Sequence, residues 1–155
     1  MGRVVAISGG DLNSTKPLNL HAIKLSGKTD PNVLFVGTAS GDADGYIASI
    51  EKEYESLGCQ VKSLCLVTKL YRHEDIDNLL SWADIIYVGG GDTVSMMLGW
   101  KQHGLDEKLK GIYRNDAAVL TGLSAGATCW FNCGYSDSES CHGNGDWHYC
   151  WADGM

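Results

Sequence analysis

Residues 117–131 read "AAVLTGLSAGATCWF". The run is apolar and strand-like up to Thr121, and from Ala125 it turns to helix-forming residues. Between the two halves, Gly122 and Gly126 flank Ser124. A Gly-x-Ser-x-Gly pattern between a buried strand and a helix holds its serine on a sharp, strained turn, with the hydroxyl lifted clear of the sheet. Glycines are required there because side chains would meet the neighbouring strand and helix. The turn also leaves the Ala125 amide at a helix start, facing the place where a tetrahedral oxyanion would form. The plainer alternative is a glycine-rich turn with a capping serine. The Ser-Ala-Gly-Ala context after a buried strand favours a nucleophile at Ser124.

Working outward, other short apolar runs also end in glycine. "RVVAIS" stops at Gly9-Gly10, "NVLFVG" at Gly37 and "DIIYVGGG" at Gly91. Such runs, rich in Val and Ile, read as buried parallel strands, and "CQVKSLCLV" from Cys59 reads as another. Helical patterns lie between them. "DGYIASIEKEYESLG" puts Ile47, Ile50, Tyr54 and Leu57 on one face, with Gly58 placed to end it. "HEDIDNLLSWA" has acids in its first turn, where the helix dipole favours them. "DTVSMMLGWKQHG" takes Asp92 or Thr93 as its N-cap and Gly104 as its stop. "LDEKLKGIYRND" is a further helix. Alternating strands and helices predict an α/β fold with a doubly wound, mostly parallel sheet and helices on both faces, as one domain over residues 1–155. Ligands of such sheets bind outside the carboxyl ends of the strands, where these glycine turns fall.

Composition narrows the function classes. The 155 residues carry 12 Lys and Arg against 19 Asp and Glu, a net charge of −7, which argues against nucleic acid or an anionic membrane surface as partner. No window approaches the roughly 18 apolar residues of a membrane span. "MGRVVAISGG" enters a strand directly, without the pattern of a signal peptide, and Ala6 stands where myristoylation wants Ser or Thr. The expected location is cytoplasmic, with the six cysteines as thiols. Oligomeric state is not readable from the sequence, and a homodimer stays open.

A second motif lies about thirty residues before the elbow. "YVGGGDTVSMM" puts three glycines between a buried strand and a helix, which can bring backbone amides to a reacting centre or a phosphate. A dinucleotide fingerprint would need a third glycine where Val94 stands, and no phosphate-loop lysine follows. A second oxyanion donor from Gly90 or Gly91 fits better, because this strand ends at the same sheet edge as the elbow. No cofactor is implied.

"VGGGDT" followed by "GLSAGA" resembles the dipeptidase E family of serine peptidases, related to aspartyl dipeptidase and, more distantly, to cyanophycinase. The similarity extends to "SGG" after the first strand, "LFVGTAS", "YIASIEKEYESLG" and "SDS" after the elbow. It implies a flavodoxin-like sheet akin to class I glutamine amidotransferases, with Ser124 as nucleophile. The Ala125 amide and a glycine of the 89–91 run would then form the oxyanion hole. The substrates implied are short peptides, in the best-known members those with N-terminal aspartate. Asp92 departs from many relatives, which carry asparagine. Asp137 matches an acidic position in relatives. The family's histidine and orienting glutamate are expected beyond Met155.

Within the chain, His142 and His148 follow Ser124 and are candidate bases, with Asp137 or Glu139 as acid. His21, His73 and His103 read as surface residues on or beside helices. A metal reading sets Cys129 and Cys133 on one helix face, followed by Cys141, His142, His148 and Cys150. Close Cys-x-x-Cys pairs are absent, so no metal is expected. Cysteine chemistry would need a thiol at position 124. A non-catalytic binding protein that keeps the elbow as scaffold is the alternative of a different class. An α/β-hydrolase would need much more chain. Arg72 and Arg114 are the candidate cations for an N-terminal aspartate.

Overall fold

A computed structural model of the protein describes residues 2–142 and 147–155. Strand β1 (Arg3–Ile7) leads into helix α1 (Leu12–Ser26), then β2 (Asn32–Val36), α2 (Asp44–Ser56) and β3 (Gln60–Leu64). The chain continues through α3 (His73–Trp82), β4 (Ile85–Val88), α4 (Thr93–His103), α5 (Leu105–Asn115) and β5 (Val119–Leu123). It finishes with a one-turn helix α6 (Ala125–Thr128) and two short strands, β6 (Cys133–Ser136) and β7 (Cys150–Asp153).

The first five strands form one sheet in the order β3-β2-β4-β5-β1, and every pairing in it is parallel. Strands β2 to β5 thus follow the flavodoxin-like arrangement, while β1 occupies the place of that fold's last strand. The chain reverses direction across the sheet between β2 and β4, which puts a switch point at their carboxyl ends.

The central strands explain their own sequences. β4 is buried at every position and β2 at all but the first, because helices cover both faces. Leu34, Val36, Ile86, Val88 and Leu120 face one way, onto Ile76 and Leu80 of α3, Met96 and Trp100 of α4 and Leu109 of α5. Val33, Phe35, Ile85, Tyr87 and Val119 face the other way, onto Ala22 of α1 and Ile50 and Tyr54 of α2. The period-2 alternation of a strand divides one apolar run between two cores. The edge strands β1 and β3 are only half covered and alternate buried with accessible residues.

Two elements depart from the sequence reading. Helix α1 occupies a stretch with no apolar periodicity, since its inward residues are Thr15, Asn19 and Ala22, and Pro17 lies inside it. It is fixed by local polar chemistry instead. Asp11 caps it by accepting the Ser14 amide at 2.8 Å, and Gly27 closes it at φ 72°. Asn19 accepts the Tyr54 hydroxyl at 3.3 Å. The tail after the elbow, to which the sequence reading assigns no strands, forms an antiparallel hairpin of β6 and β7, with Tyr135 stacked on Tyr149.

Candidate active site

Strand β5 runs between β1 and β4 and carries its direction into the elbow, where the Ser124 amide donates to Ile7 O of β1 at 2.9 Å. At Ser124 the backbone turns to φ 54° and ψ −111°, a conformation that L-residues hold only where the surroundings enforce it. The Ser124 carbonyl accepts the Ala127 and Thr128 amides at 2.8 and 2.9 Å and so begins α6. Its side chain makes no capping bond and the residue is exposed, between buried neighbours Gly122, Ala125 and Gly126.

The flanking glycines are explained by sterics. A Cβ on Gly126 would lie 2.0 Å from Val88 O, and one on Gly122 2.4 Å from Gly126 O and 2.6 Å from Val88 O. Both contacts are with backbone, which cannot rotate away. The elbow therefore packs directly on the end of β4, and this close approach is what Gly-x-Ser-x-Gly encodes.

The glycine run after β4 lies alongside. A Cβ on Gly90 would come within 3.3 Å of the Ser124 Cβ, so Gly90 runs against the elbow. The Gly90 amide donates to the Tyr46 hydroxyl at 3.2 Å. Gly91 adopts φ 140° and passes so close to Ala39 that a Cβ would lie 2.1 Å from Ala39 O. Among the described residues the Ala125 and Gly91 amides have no hydrogen-bond acceptor.

Two cavities open at this edge. One, of about 470 Å³, holds Ser124 and is walled by Ser8 after β1, Thr93 of α4, Thr128 of α6, Tyr135 of β6 and Asp137. The other, of about 540 Å³, sits at the switch point between Thr38–Gly41 after β2 and the start of α4, with Asp92, Ser95, His103 and His142 in its lining.

Asp137, Asp92 and His142 divide between these two cavities, and Glu139 and His148 line neither. Asp137 lines the Ser124 cavity and is half-buried; its carbonyl accepts the Ser140 amide at 2.8 Å and its side chain caps nothing. Asp92 is the N-cap of α4, accepting the Ser95 amide at 3.1 Å and the Ser95 hydroxyl at 2.5 Å. His142 Nε2 lies 2.5 Å from Asp92 Oδ2, in the switch-point cavity, and is therefore engaged away from Ser124. Burial works to raise the Asp92 pKa, but the bonds from Ser95, His142 and Ser138 outweigh it and hold the carboxyl below its ordinary value. Glu139 is exposed on the short 3₁₀ turn Ser138–Cys141. His148 is exposed and held by its backbone, whose amide and carbonyl both bond to Ser140 Oγ.

Sequence reasoning did not foresee the hydroxyl chain that fastens the tail to α4. Ser136 Oγ donates to Thr93 Oγ1 at 3.0 Å and lies 2.8 Å from Ser138 Oγ, which accepts the Val94 amide at 3.2 Å. Its only signal was the pair of small hydroxyl residues in "SDS".

Cys129 and Cys133 do not share a helix face. α6 ends at Thr128, Cys129 is buried with Sγ donating to Gly126 O, and Cys133 belongs to β6. Among the described residues no group of three His, Cys, Asp or Glu could hold a metal ion. No helix among them is long and apolar enough to cross a membrane.

The model of peptidase family S51 matches residues 4–145. The chain belongs to peptidase family S51. Its relatives include the uncharacterized peptidase YgaJ of Bacillus subtilis (strain 168), 35% identical over 142 residues, covering 89% of this chain and 60% of that protein. Among solved structures, it is similar to a Listeria monocytogenes EGD-e protein named for peptidase E, with TM-score 0.68 and 26% identity over 83% of this chain and 61% of that one. A peptidase from an acI-B1 Actinobacterium shares the fold, with TM-score 0.64 and 21% identity over 99% of this chain and 64% of that one. The chain thus spans between 60% and 64% of the length of this relative and these two neighbours.

Proposed function

We propose that this S51 chain hydrolyses short peptides through an acyl-enzyme on Ser124. The observation that carries the reading is the enforced backbone at Ser124, exposed at the mouth of a cavity and placed there by glycines 122 and 126. In this mechanism the hydroxyl attacks the scissile carbonyl, and the oxyanion of the tetrahedral intermediate is met by the free Ala125 amide. A glycine of the 89–91 run supplies the second donor. Gly90 is nearer the elbow, although its amide must first leave the Tyr46 hydroxyl. The intermediate then collapses with cleavage of the C–N bond, the amine leaving with the proton given up by the Ser124 hydroxyl; the acyl group stays on Ser124 until water adds to the ester, releasing the acid and restoring the hydroxyl.

A second reading, a binding protein that keeps the fold, has one observation in its favour. Among the described residues no histidine bonds to the Ser124 hydroxyl, and His142 is engaged by Asp92. A serine without a base is a weak nucleophile. Incubation of the chain with a dipeptide and tripeptide library, followed by mass spectrometry of the products, separates the two. Hydrolysis that disappears in Ser124→Ala supports the peptidase. Intact peptides with unchanged binding in both proteins support the second reading.

A further inference from the structure

Four successive amides run from the end of β4 to the cap of α4, and three of them have a partner. The Gly89 amide donates to Val36 O of β2 at 3.1 Å, the Gly90 amide to the Tyr46 hydroxyl at 3.2 Å and the Asp92 amide to Ala39 O at 2.8 Å. The Gly91 amide has no acceptor among the described residues. The peptide that carries it begins at Gly90, whose Cβ position lies 3.3 Å from the Ser124 Cβ and 3.3 Å from Leu123 O. Gly91 borders the switch-point cavity, so this peptide stands between that cavity and the nucleophile. Two of the three acceptors are backbone. The third, Tyr46, is a side chain, and it grips the run at the residue that abuts Ser124.

Tyr46 is itself held firmly. It lies in the first turn of α2, where its amide donates to Ala43 O at 3.0 Å and its carbonyl accepts the Ser49 hydroxyl at 2.7 Å. Two residues before α2, the buried Asp42 carboxylate accepts the Val67 and Thr68 amides at 2.6 and 2.9 Å, which ties the start of the helix to the loop after β3. The Tyr46 ring meets Phe35 of β2 edge to face, with centroids 5.3 Å apart. A Cβ on Gly89 would lie 2.9 Å from Tyr46 Cε1 and 3.0 Å from Phe35 Cζ, so the glycine run passes against both rings.

Resting on the reading of Ser124 as a peptidase nucleophile, we propose that Tyr46 is a positioning residue of the oxyanion hole. Its hydroxyl takes the Gly90 amide out of use and fixes the 90–91 peptide, so that the Gly91 amide joins that of Ala125 in meeting the oxyanion. Tyr46 does not line the Ser124 cavity, and it acts through the glycine run rather than on the substrate. Donors fixed before the reaction stabilise developing charge without reorganising, so the effect of Tyr46 falls on the tetrahedral state. Without the hydroxyl, the Gly90 amide loses its partner and the peptide beside Ser124 is free to turn.

The test uses a fluorophosphonate, from which the Ser124 Oγ displaces fluoride while the phosphoryl oxygen takes the oxyanion's place. Tyr46→Phe keeps the ring and removes the acceptor. Tyr54→Phe removes a hydroxyl from the same helix that bonds to Asn19 instead, and is the matched control. Tyr46→Phe is expected to slow labelling of Ser124 at least about tenfold, part of the roughly 100- to 1000-fold that loss of a whole donor entails, and Tyr54→Phe to leave it unchanged. Amide resonances of the unaltered chain supply a second readout. Adduct formation is expected to shift the Gly91 and Ala125 amide protons downfield and to leave that of Gly90 in place. This signature decides the question even where Tyr46→Phe fails to fold. Equal labelling of the unaltered and Tyr46→Phe chains, an equal fall in Tyr54→Phe, or a shift at Gly90 in place of Gly91 would each overturn the positioning role and leave Ser124 as nucleophile. An unaltered chain that takes no label would overturn the nucleophile, and the role of Tyr46 with it.

Discussion

Gly126→Ala turns the steric account of the elbow into a measurable energy. Inside a helix, Gly→Ala ordinarily stabilises by about 1 kcal/mol, because alanine restricts the unfolded chain and suits the helix. At Gly126 the new methyl would lie 2.0 Å from Val88 O and 2.6 Å from Val88 C, in the central strand β4. That is about 1.4 Å closer than ordinary van der Waals contact begins, and the obstacle is backbone. Overpacking of this kind costs about 1–3 kcal/mol, here at the upper end because no rotamer relieves it. The expected net loss is about 2 kcal/mol or more, a fall in melting temperature of roughly 4–8 °C for a chain of this length. Gly111→Ala in α5 is the matched control. Nothing lies within 4 Å of its Cβ position, so the same substitution is expected to raise the melting temperature by roughly 2–4 °C. Thermal unfolding followed by circular dichroism reads both. A Gly126→Ala protein as stable as the parent would show that the elbow does not pack on β4 as described.

Three further outcomes are expected. Ser124→Gly should be about 1 kcal/mol more stable than Ser124→Ala in urea unfolding, because only glycine holds φ 54° with ψ −111° without strain; equal stabilities would remove the strain argument. The Asp92 carboxyl titrates below its ordinary value of 3.8 in the fold, so its stabilisation is present above that pH and lost as pH falls through the depressed pKa. Asp92→Asn, which keeps a capping side chain, should therefore lower stability at pH 7 and progressively less on acidification below pH 4, whereas a pH-independent difference would contradict the assignment. His142→Ala should change the rate of fluorophosphonate labelling at Ser124 far less than the roughly 100-fold that loss of a general base entails, because His142 is engaged with Asp92; a fall of that size would make His142 the base.

The sheet was legible because burial on both faces leaves no room for polar residues. Strand β4, "IIYV", and strand β2, "NVLFV", show it as unbroken apolar runs closed by glycine. The helices α2, α3, α4 and α5 showed themselves through 3.6-residue spacing and through caps at Asp92 and Gly104. Helix α1 gave no such signal, since what it turns inward is polar: Thr15 donates to Asp11 O, and Asn19 accepts the Tyr54 hydroxyl while its Nδ2 is buried without a partner among the described residues. The β6–β7 hairpin escaped because Cys133, Gly134 and Ser136 do not alternate like a half-buried strand. At the site, the elbow could be read because its glycines record a steric demand within five residues of chain. The Asp92–His142 pair could not, because it joins positions 50 residues apart through two turns whose meeting depends on the whole sheet. The switch-point cavity is likewise assembled from the loops after β2, β3 and β4, none of which announces it alone.

The central claim is that Ser124 is an activated nucleophile. Intact-protein mass spectrometry before and after a fluorophosphonate tests it most directly, with peptide mapping of the product and Ser124→Ala in parallel. A single adduct located on Ser124, and absent from the Ser124→Ala protein, is the predicted result. A folded chain that takes no adduct, or takes it equally when residue 124 is alanine, would contradict the account and leave the elbow as scaffold.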